Sequence, residues 1–574
     1  MKRKLDPITF EVVRSTFDYI TKMMSQTLQK ISFSPIMYDQ VDFSNALFDD
    51  KANLIGQTTN VPVHLAAMHH CVNAAVEAFE NDFNEGDVVI LNDPYRGGTH
   101  NMDVTFVTPL FWEGRLIAYA CSRGHWQDMG GKAASSESPT AVHIAEEGLR
   151  LPPTKIFVNR EPVTWLIDII RNNTRAPYFI DGDIRAHMGA LNTAEKYFFE
   201  LVGKYGEETV RACMKEALDY TERRTRAAIA NLPNGVYTAD DYIDADGVNN
   251  EAIYVKATVT IEDEDITVDL TGSSPTVDGP VNYPLAGTCS GVYFGLKFFL
   301  DPDAPPNAGM YRPINIVVPE NTVFNPRWPA PVYYGNLITS EKVADLIWMC
   351  LEQAIPEKIV GMPYADCNPI SWGIVDARQG VSDTFGELPP GGWGGTPFGD
   401  GMNATYSRHG NCMDFTPEQM ELLYPVICTE REFRTDSAGA GKYRGGLGLK
   451  VSWKLLQNAT MNVGMGRSRF GPPGVCGGKD GKPSSVILNM GTEKEKVIGG
   501  YTQDHQYLMT MFDNYPMKAG DTVTMITQGG GGYGEPKERD IEMIKKDLEN
   551  EVISEAAVKD DYGCDKLVAV LSRL

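Results

Sequence analysis

Residues 104–122 constrain the fold more tightly than any other stretch. VTFVTPLFW and RLIAYACS are apolar, strand-like runs on either side of Glu113-Gly114. A two-residue loop ending in glycine marks a tight β-hairpin, and such a loop sets the register of both strands. Counting back from Trp112 opposite Arg115, the register predicts Asp103 opposite Gly124 and Met102 opposite His125. His100, Asp103, His125 and Asp128 then gather at one end of the hairpin. Gly97 and Gly98, in NDPYRGGTHNMDV, let the chain turn tightly just before His100.

Two imidazoles and two carboxylates at one strand end suit a divalent transition metal: zinc, manganese or iron(II). Three or four protein ligands with one open position for water would make a hydrolytic site. A hydrogen-bonded His/Asp cluster in a core is the other reading of the same spacing. His64, in VPVHLAAM, reads either as a residue supporting the site or facing its substrate, or as a helix-end histidine. His143, His187, His409 and His505 have no ligand-like partners nearby in sequence. Phosphate-binding patterns fail. There is no G-x-x-x-x-G-K-[ST], and GGGGYGEP does not sit between a strand and a helix in the dinucleotide pattern. There is no G-x-S-x-G elbow. Cys289, in GTCSGVY, reads as a nucleophile or, better, as a buried thiol.

Elsewhere the period of apolar residues alternates between helical and strand-like. Asp6-Pro7 predicts an N-cap and first helical position, followed by a stripe of Ile8, Val12, Phe17, Ile20, Met24 and Leu28. ALFDDKANLIG predicts a hairpin. Long helices are expected over 183–204 and 206–231, and another over 340–354 with Ser340-Glu341 as its cap. KATVTIEDEDITVDLTGSS, LKVSWKLL and SVILNM alternate as strands. The fold class is α+β, with a mixed N-terminal region carrying the site, a strand-rich and glycine-rich C-terminal half, and a short helical tail. The expected division is 1–235, 236–385, 386–536 and 537–574. The glycine loops at 386–402 and 529–534 read either as partner-contact or channel-lining segments, or as tight turns and close backbone contacts.

Charge and cysteine usage narrow the class of partner. The net charge is -24, which argues against nucleic acid or an anionic membrane as the main partner, because both require basic surface. A hydrophobic fraction of 42% with 22% charged residues fits a soluble globular chain of 574 residues, long enough for several domains. The basic start, MKRKLDPITF, is followed by no apolar stretch of signal or membrane length, so a cytoplasmic protein is expected. The 10 cysteines are scattered singly with no C-x-x-C, which offers neither a zinc ribbon nor a disulfide framework.

Several long motifs together carry a resemblance: VDFSNALFDDKANLIGQ, VPVHLAAM, NDPYRGGTHNMDV, GHWQDMGG, EEGLRLPP, GPVNYPLAGT, DSAGAGKYRGGLG and GGGGYGEPKERD. In this order, and almost end to end, the chain resembles the B subunit of the hydantoinase/oxoprolinase family. The resemblance implies a division of labour. An A-type subunit with an actin-like ATPase fold binds ATP and Mg and phosphorylates the carbonyl oxygen of a cyclic amide. The B subunit then hydrolyses the activated species at a metal site. Substrates in such a family include hydantoins, 5-oxoproline and lactams such as caprolactam, and related enzymes carboxylate acetone or acetophenone. A non-catalytic scaffold subunit is the remaining alternative. The resemblance implies Asp42, His100, Asp103 and His125 as metal ligands, Asp42 or Asp128 as the base, and Asp128 as a reserve ligand. Asp39, His64 and Arg123 are assigned to the substrate or the supporting layer. It also implies a heterotetramer with the A-type subunit. Just before the DFS motif, where members often carry a basic and an acidic residue, this chain has Tyr38 and Asp39, which leaves the particular cyclic amide open.

Overall fold

Asp6 caps the first helix, accepting from Thr9 N at 2.8 Å, and Pro7 takes its first position, so α1 spans Pro7–Ile31. The computed structural model describes residues 5–58, 60–80, 82–376 and 381–572; the basic residues Lys2 to Lys4 lie outside them. Phe17, Ile20, Met24 and Leu28 are buried as the period predicts. Ile8 and Val12 are not: they are 75% and 43% exposed, and Val13 takes the inward position. Positions 13, 17, 20, 24 and 28 keep to one helical face, which 8 and 12 miss.

The N-terminal region is built on a seven-stranded sheet ordered β2-β1-β5-β4-β3-β6-β7. Its strands are β1 (Phe43–Asp49), β2 (Leu54–Gln57), β3 (Val88–Leu91), β4 (Asp103–Trp112), β5 (Arg115–His125), β6 (Thr154–Val158) and β7 (Glu161–Pro162). Every ladder in it is antiparallel. The stretch from Asp103 to Leu110 is buried without alternation, so both faces of the sheet are covered. The helices of this region are α2 (Pro35–Tyr38), α3 (His64–Phe79), α4 (Thr164–Asn172), α5 (Pro177–Tyr205) and α6 (Glu207–Ile229), of which α3 and α5, like α1, pack on the sheet. Helix α5 starts six residues before the predicted 183, with Pro177 in its first turn.

A register correction bears on the site. The Glu113-Gly114 turn is two residues long, with φ of 50° and 76°, as its sequence demands. Trp112 pairs with Arg115, but between Leu110 and Phe111 the ladder shifts, leaving Ile117 as an extra residue on β5. Beyond this β-bulge every pairing moves by one. Asp103 therefore lies opposite His125, not Gly124.

Next comes a four-stranded sheet, β11-β10-β9-β8, with β8 (Gly235–Ile243), β9 (Ile253–Glu262), β10 (Asp265–Asp269) and β11 (Ile314–Val317). Helix α7 (Leu285–Leu300) packs on α8 (Thr339–Glu352), which lies on β8 and β9. Ser340 and Glu341 do not cap α8. They sit inside its first turn and are fully buried. The C-terminal half is strand-rich as expected, with two antiparallel sheets of four and six strands, and the chain ends in helices Ile541–Glu549 and Cys564–Leu571 over a small core of their own.

The glycine loops meet in a seam. Gly392 N donates to Gln528 O at 2.9 Å, Gly395 N to Gly531 O at 2.8 Å and Gly530 N to Gly446 O at 3.0 Å. A Cβ on Gly530 would stand 2.0 Å from Trp393 O, so close backbone approach explains this glycine run. The 529–532 segment is buried in that seam, which removes it as a partner-contact surface. Among the described residues no helix is long and apolar enough to cross a membrane.

Candidate active site

Three neighbouring strand ends assemble the site. Asp42 immediately precedes β1, His125 ends β5 and Asp103 begins β4. His125 N donates to Asp42 O at 3.0 Å, so the β1–β5 pairing places these two residues side by side. His100 arrives from the tight turn. There Gly97 has φ of 90°, and a Cβ on it would meet His70 O at 2.5 Å, so this turn accepts only glycine. His64, first residue of α3, completes the group from the other side. Asp42, His64, His100, Asp103 and His125 line one cavity of about 60 Å³.

Asp103 is its electrostatic centre. Its Oδ2 stands 3.3 Å from His64 Nε2 and 3.2 Å from His100 Nδ1, and it accepts a very short hydrogen bond from Thr99 Oγ1. Burial alone would raise this carboxyl, but His100 and His64 beside it outweigh that and hold it well below the carboxylate range. Burial and the neighbouring His100 push His125 down to about 3, so its imidazole is neutral. Burial also lowers His64, whose Nδ1 is 3.1 Å from Ser44 Oγ. Asp42 goes the other way: burial of its carboxyl, with the Asp103 charge adding, pushes it up to about 8.

The donor chemistry fits a divalent transition ion. His100 Nε2 and His125 Nδ1 are buried without a hydrogen-bond partner, while His100 Nδ1 faces Asp103 Oδ2 at 3.2 Å. Two imidazoles and two carboxylates, His100, His125, Asp42 and Asp103, are a donor set that zinc or manganese takes. Among the described residues no three His, Cys, Asp or Glu side chains already surround one point, so the donors are gathered but not closed into a cage.

A family model described as hydantoinase B/oxoprolinase matches residues 6–536. The chain belongs to the hydantoinase B/oxoprolinase family. It is 31% identical to the beta chain of the caprolactamase of Pseudomonas jessenii, over 97% of this chain and 96% of that one. It is likewise 31% identical to the B component of a putative D-/L-hydantoinase of a Pseudomonas species, over 98% and 95%. The crystal structure of ATP-dependent caprolactamase from Pseudomonas jessenii superposes with a TM-score of 0.91 at 30% identity, covering 98% of this chain and 96% of that chain. A nucleotide-free acetone carboxylase structure shares the fold, with a TM-score of 0.88 at 19% identity, over 99% and 83%.

Not every sequence-based candidate reaches this hydantoinase B-type cavity. Asp128 is committed elsewhere. It accepts from Gly130 N at 2.9 Å and Arg175 N at 2.8 Å, and pairs with Arg175 Nη1 at 2.9 Å. A carboxylate so occupied clamps the loop after β5 and does not line the cavity. Arg123 lies behind the site, fully buried, donating to Thr105 Oγ1 and Cys71 Sγ at 2.9 Å each. Asp39 ends α2 outside the cavity lining. Cys289 lies in α7, also outside it, and burial raises its thiol to about 12.

Other lining residues were invisible to spacing. Glu137 has an unpartnered, buried Oε2, and burial pushes its carboxyl up to about 7. Tyr333 packs its ring 5.1 Å from that of His100. His409 also lines the cavity, with partners remote in sequence: its Nδ1 makes a very short bond to Glu341 Oε1, and Nε2 lies 3.6 Å from Cys367 Sγ. Burial would lower His409, but Glu341 raises it well above its ordinary value. Glu341 is held low, against its own burial, by Arg408 and His409. The available signal was Glu341, Lys342 and Asp345 inside an otherwise apolar helix.

Proposed function

We propose that this chain is the amide-opening component of a two-subunit, ATP-dependent hydrolase of cyclic amides such as lactams, hydantoins or 5-oxoproline. An A-type partner subunit phosphorylates the amide oxygen. The observation that carries the reading is the convergence of Asp42, His64, His100, Asp103 and His125 on one cavity, with His100 Nε2 and His125 Nδ1 buried there without hydrogen-bond partners.

Amides resist hydrolysis because resonance weakens the carbonyl as an electrophile. Phosphorylating the oxygen removes that resonance and supplies a leaving group. Asp42, His100, Asp103 and His125 would hold the ion, with zinc or manganese suiting the donors best and iron next. When bound, it supplies a Lewis acid that polarises a substrate oxygen and makes water more acidic. The neutral state of His125 leaves its ring free to ligate. Thr99, His64 and Ser44 orient Asp103 and its neighbours. Glu137, with its carboxyl at about 7 and a free oxygen in the cavity, is placed to hand a proton to the departing ring nitrogen and to regain one.

The test is reconstitution with an A-type subunit, ATP and Mg, assayed against caprolactam, hydantoin and 5-oxoproline, alongside elemental analysis of the purified complex. Ring-opened product and close to one transition ion per chain are expected. The acetone carboxylase likeness is one of fold alone, so acetone and acetophenone with bicarbonate form the control arm. Product in that arm only, or a chain without transition metal, would overturn the reading.

A further inference from the structure

The cavity has a second wall that the metal reading leaves unused. Cys367, His409 and Glu341 form a chain of contacts leading back from it: Cys367 Sγ is 3.6 Å from His409 Nε2, and His409 Nδ1 bonds to Glu341 Oε1. Cys367 and His409 both line the cavity. Glu341 is fixed in turn by Arg408, whose Nε reaches Oε2 at 2.5 Å and whose guanidinium stacks 4.1 Å over Trp348. The loop bearing the thiol is strained and pinned. Ala365 and Asn368 on either side have φ of 50° and 49°. Asp366 Oδ1 accepts from Cys367 N at 2.6 Å, and Asn368 Nδ2 donates to Gln528 Oε1 at 3.0 Å. Buried polar atoms without partners, Asn336 Oδ1 and Glu137 Oε2, belong to residues lining the same cavity. That is the pattern of a thiol, a base and an orienting carboxylate around a space meant for a polar ligand.

We propose that Cys367 is a nucleophile activated by His409 and oriented through Glu341, and that it carries the amide carbon as a thioester before hydrolysis; this deepens the cyclic-amide reading and rests on it. The thiol proton passes to His409 Nε2. Sulfur attacks the carbon of the O-phosphorylated amide, the C–S bond forms, and the C–O bond to phosphate breaks with its electron pair leaving on phosphate. The C=N bond survives. His409 gives the thiol proton to the departing phosphate. Water then adds across C=N, passing one proton to the ring nitrogen; Glu137 gives that nitrogen a second proton and regains one from the new hydroxyl as the carbonyl reforms, and C–N cleavage opens the ring. The acid is now a thioester on Cys367. A second water, deprotonated by His409, displaces sulfur, and the thiolate recovers that proton. Two waters are consumed, and no oxidant or reductant is needed.

The test uses the full chain assembled with its ATP-binding partner. Iodoacetamide, a small thiol probe, is added without substrate and the modified peptides are counted by mass spectrometry. Cys367, though buried, is expected to label at least about tenfold faster than the exposed Cys564, because a paired thiolate is the reactive form. His409→Gln is expected to remove that advantage. Acid quenching during turnover of caprolactam or 5-oxoproline with ATP should show the ring-opened acyl mass on the Cys367 peptide, and Cys367→Ser should lose it. Labelling of Cys367 no faster than Cys564 in the unmutated complex overturns the nucleophile, whether or not the His409 variant folds. Fast, His409-dependent labelling in a complex that opens no cyclic amide keeps the nucleophile and removes the substrate reading.

Discussion

Asp103 and His125 face each other across the β4–β5 ladder, and Asp42 joins them through the backbone bond from His125 N to Asp42 O. One bulged residue, Ile117, makes this alignment. Asp103 is central to it, as the one carboxylate within 3.3 Å of two imidazole nitrogens among the residues gathered at these strand ends.

Replacing Asp103 by asparagine should therefore lower metal affinity by at least about 100-fold, the upper end of what even supporting-layer changes cost at metal sites. Ring opening should fall in parallel. Dialysis against a chelator, followed by titration with zinc and manganese, measures the first effect. A variant that keeps full metal occupancy would remove Asp103 from the ligand set.

Asp128 should behave differently. Its carboxylate is buried and bonded to Arg175 and two backbone amides. Asp128→Ala leaves those donors without an acceptor and should cost roughly 2–4 kcal/mol. Metal content and the activity of whatever protein remains folded should be unchanged. Metal loss in this variant at low temperature would restore Asp128 as a ligand.

This contrast marks how far the sequence is legible. A two-residue turn and two apolar strands were enough to put His100, Asp103 and His125 together, because a hairpin is local and its register follows from its turn. The bulge at Ile117 was not legible, since either register leaves apolar residues facing a covered sheet face. Asp128 lies within four residues of His125, but the chain leaves the strand at that point, and spacing cannot say which way a side chain then turns. Asp42 came only from resemblance, because it reaches the site through pairing with a strand some eighty residues later. His409, Glu341 and Cys367 are brought in by separate elements far apart in the chain, and no period or motif predicts that convergence.

Glu147 offers a pH test away from the site chemistry. Its Oε1 accepts from Val332 N at 2.8 Å and Tyr333 N at 2.9 Å, while Oε2 is buried without a partner. Burial pushes the carboxyl up to about 8. The unfolded chain binds fewer protons here than the folded one between about 4.5 and 8. The stabilisation is thus complete below pH 4.5 and is lost as pH rises through 8. Glu147→Gln cannot ionise. Its melting temperature should gain on the parent protein steadily from pH 5 to pH 8, which parallel thermal scans can read. A gap that is flat with pH would contradict the raised carboxyl.

The buried ion cluster behind His409 makes a stability prediction. Arg408 pairs with Glu341 and Asp345, and Arg467 continues the chain to Asp345 and Asp241, all in the interior. Arg408→Ala should cost about 3–5 kcal/mol, because it strands buried carboxylates. Arg408→Lys should recover only part of this, since an ammonium cannot reproduce the forked contacts or the stacking on Trp348. Denaturant midpoints for the two variants would test the order; a lysine variant as stable as the parent would show that charge alone matters.

The last prediction separates activation from ring opening. If the partner's task is to convert the amide oxygen into a leaving group, then a cyclic amide already activated by chemistry needs no partner. O-methyl caprolactim, a cyclic imidate, carries methoxide where the enzymatic intermediate carries phosphate. Its carbon lacks amide resonance, and its nitrogen is already the leaving group of an imidate. The isolated, metal-loaded chain should open this compound without ATP, above the rate in buffer, while leaving caprolactam untouched. Methoxide leaves less readily than phosphate, so turnover should be slower than in the assembled complex. Asp103→Asn should abolish it, because the same cavity is used. Hydrolysis by the complex of caprolactam with ATP, combined with no acceleration of the lactim ether by the isolated chain or by the complex, would mean that the phosphate group itself is required for recognition, and that the chain does not act on an activated carbon alone.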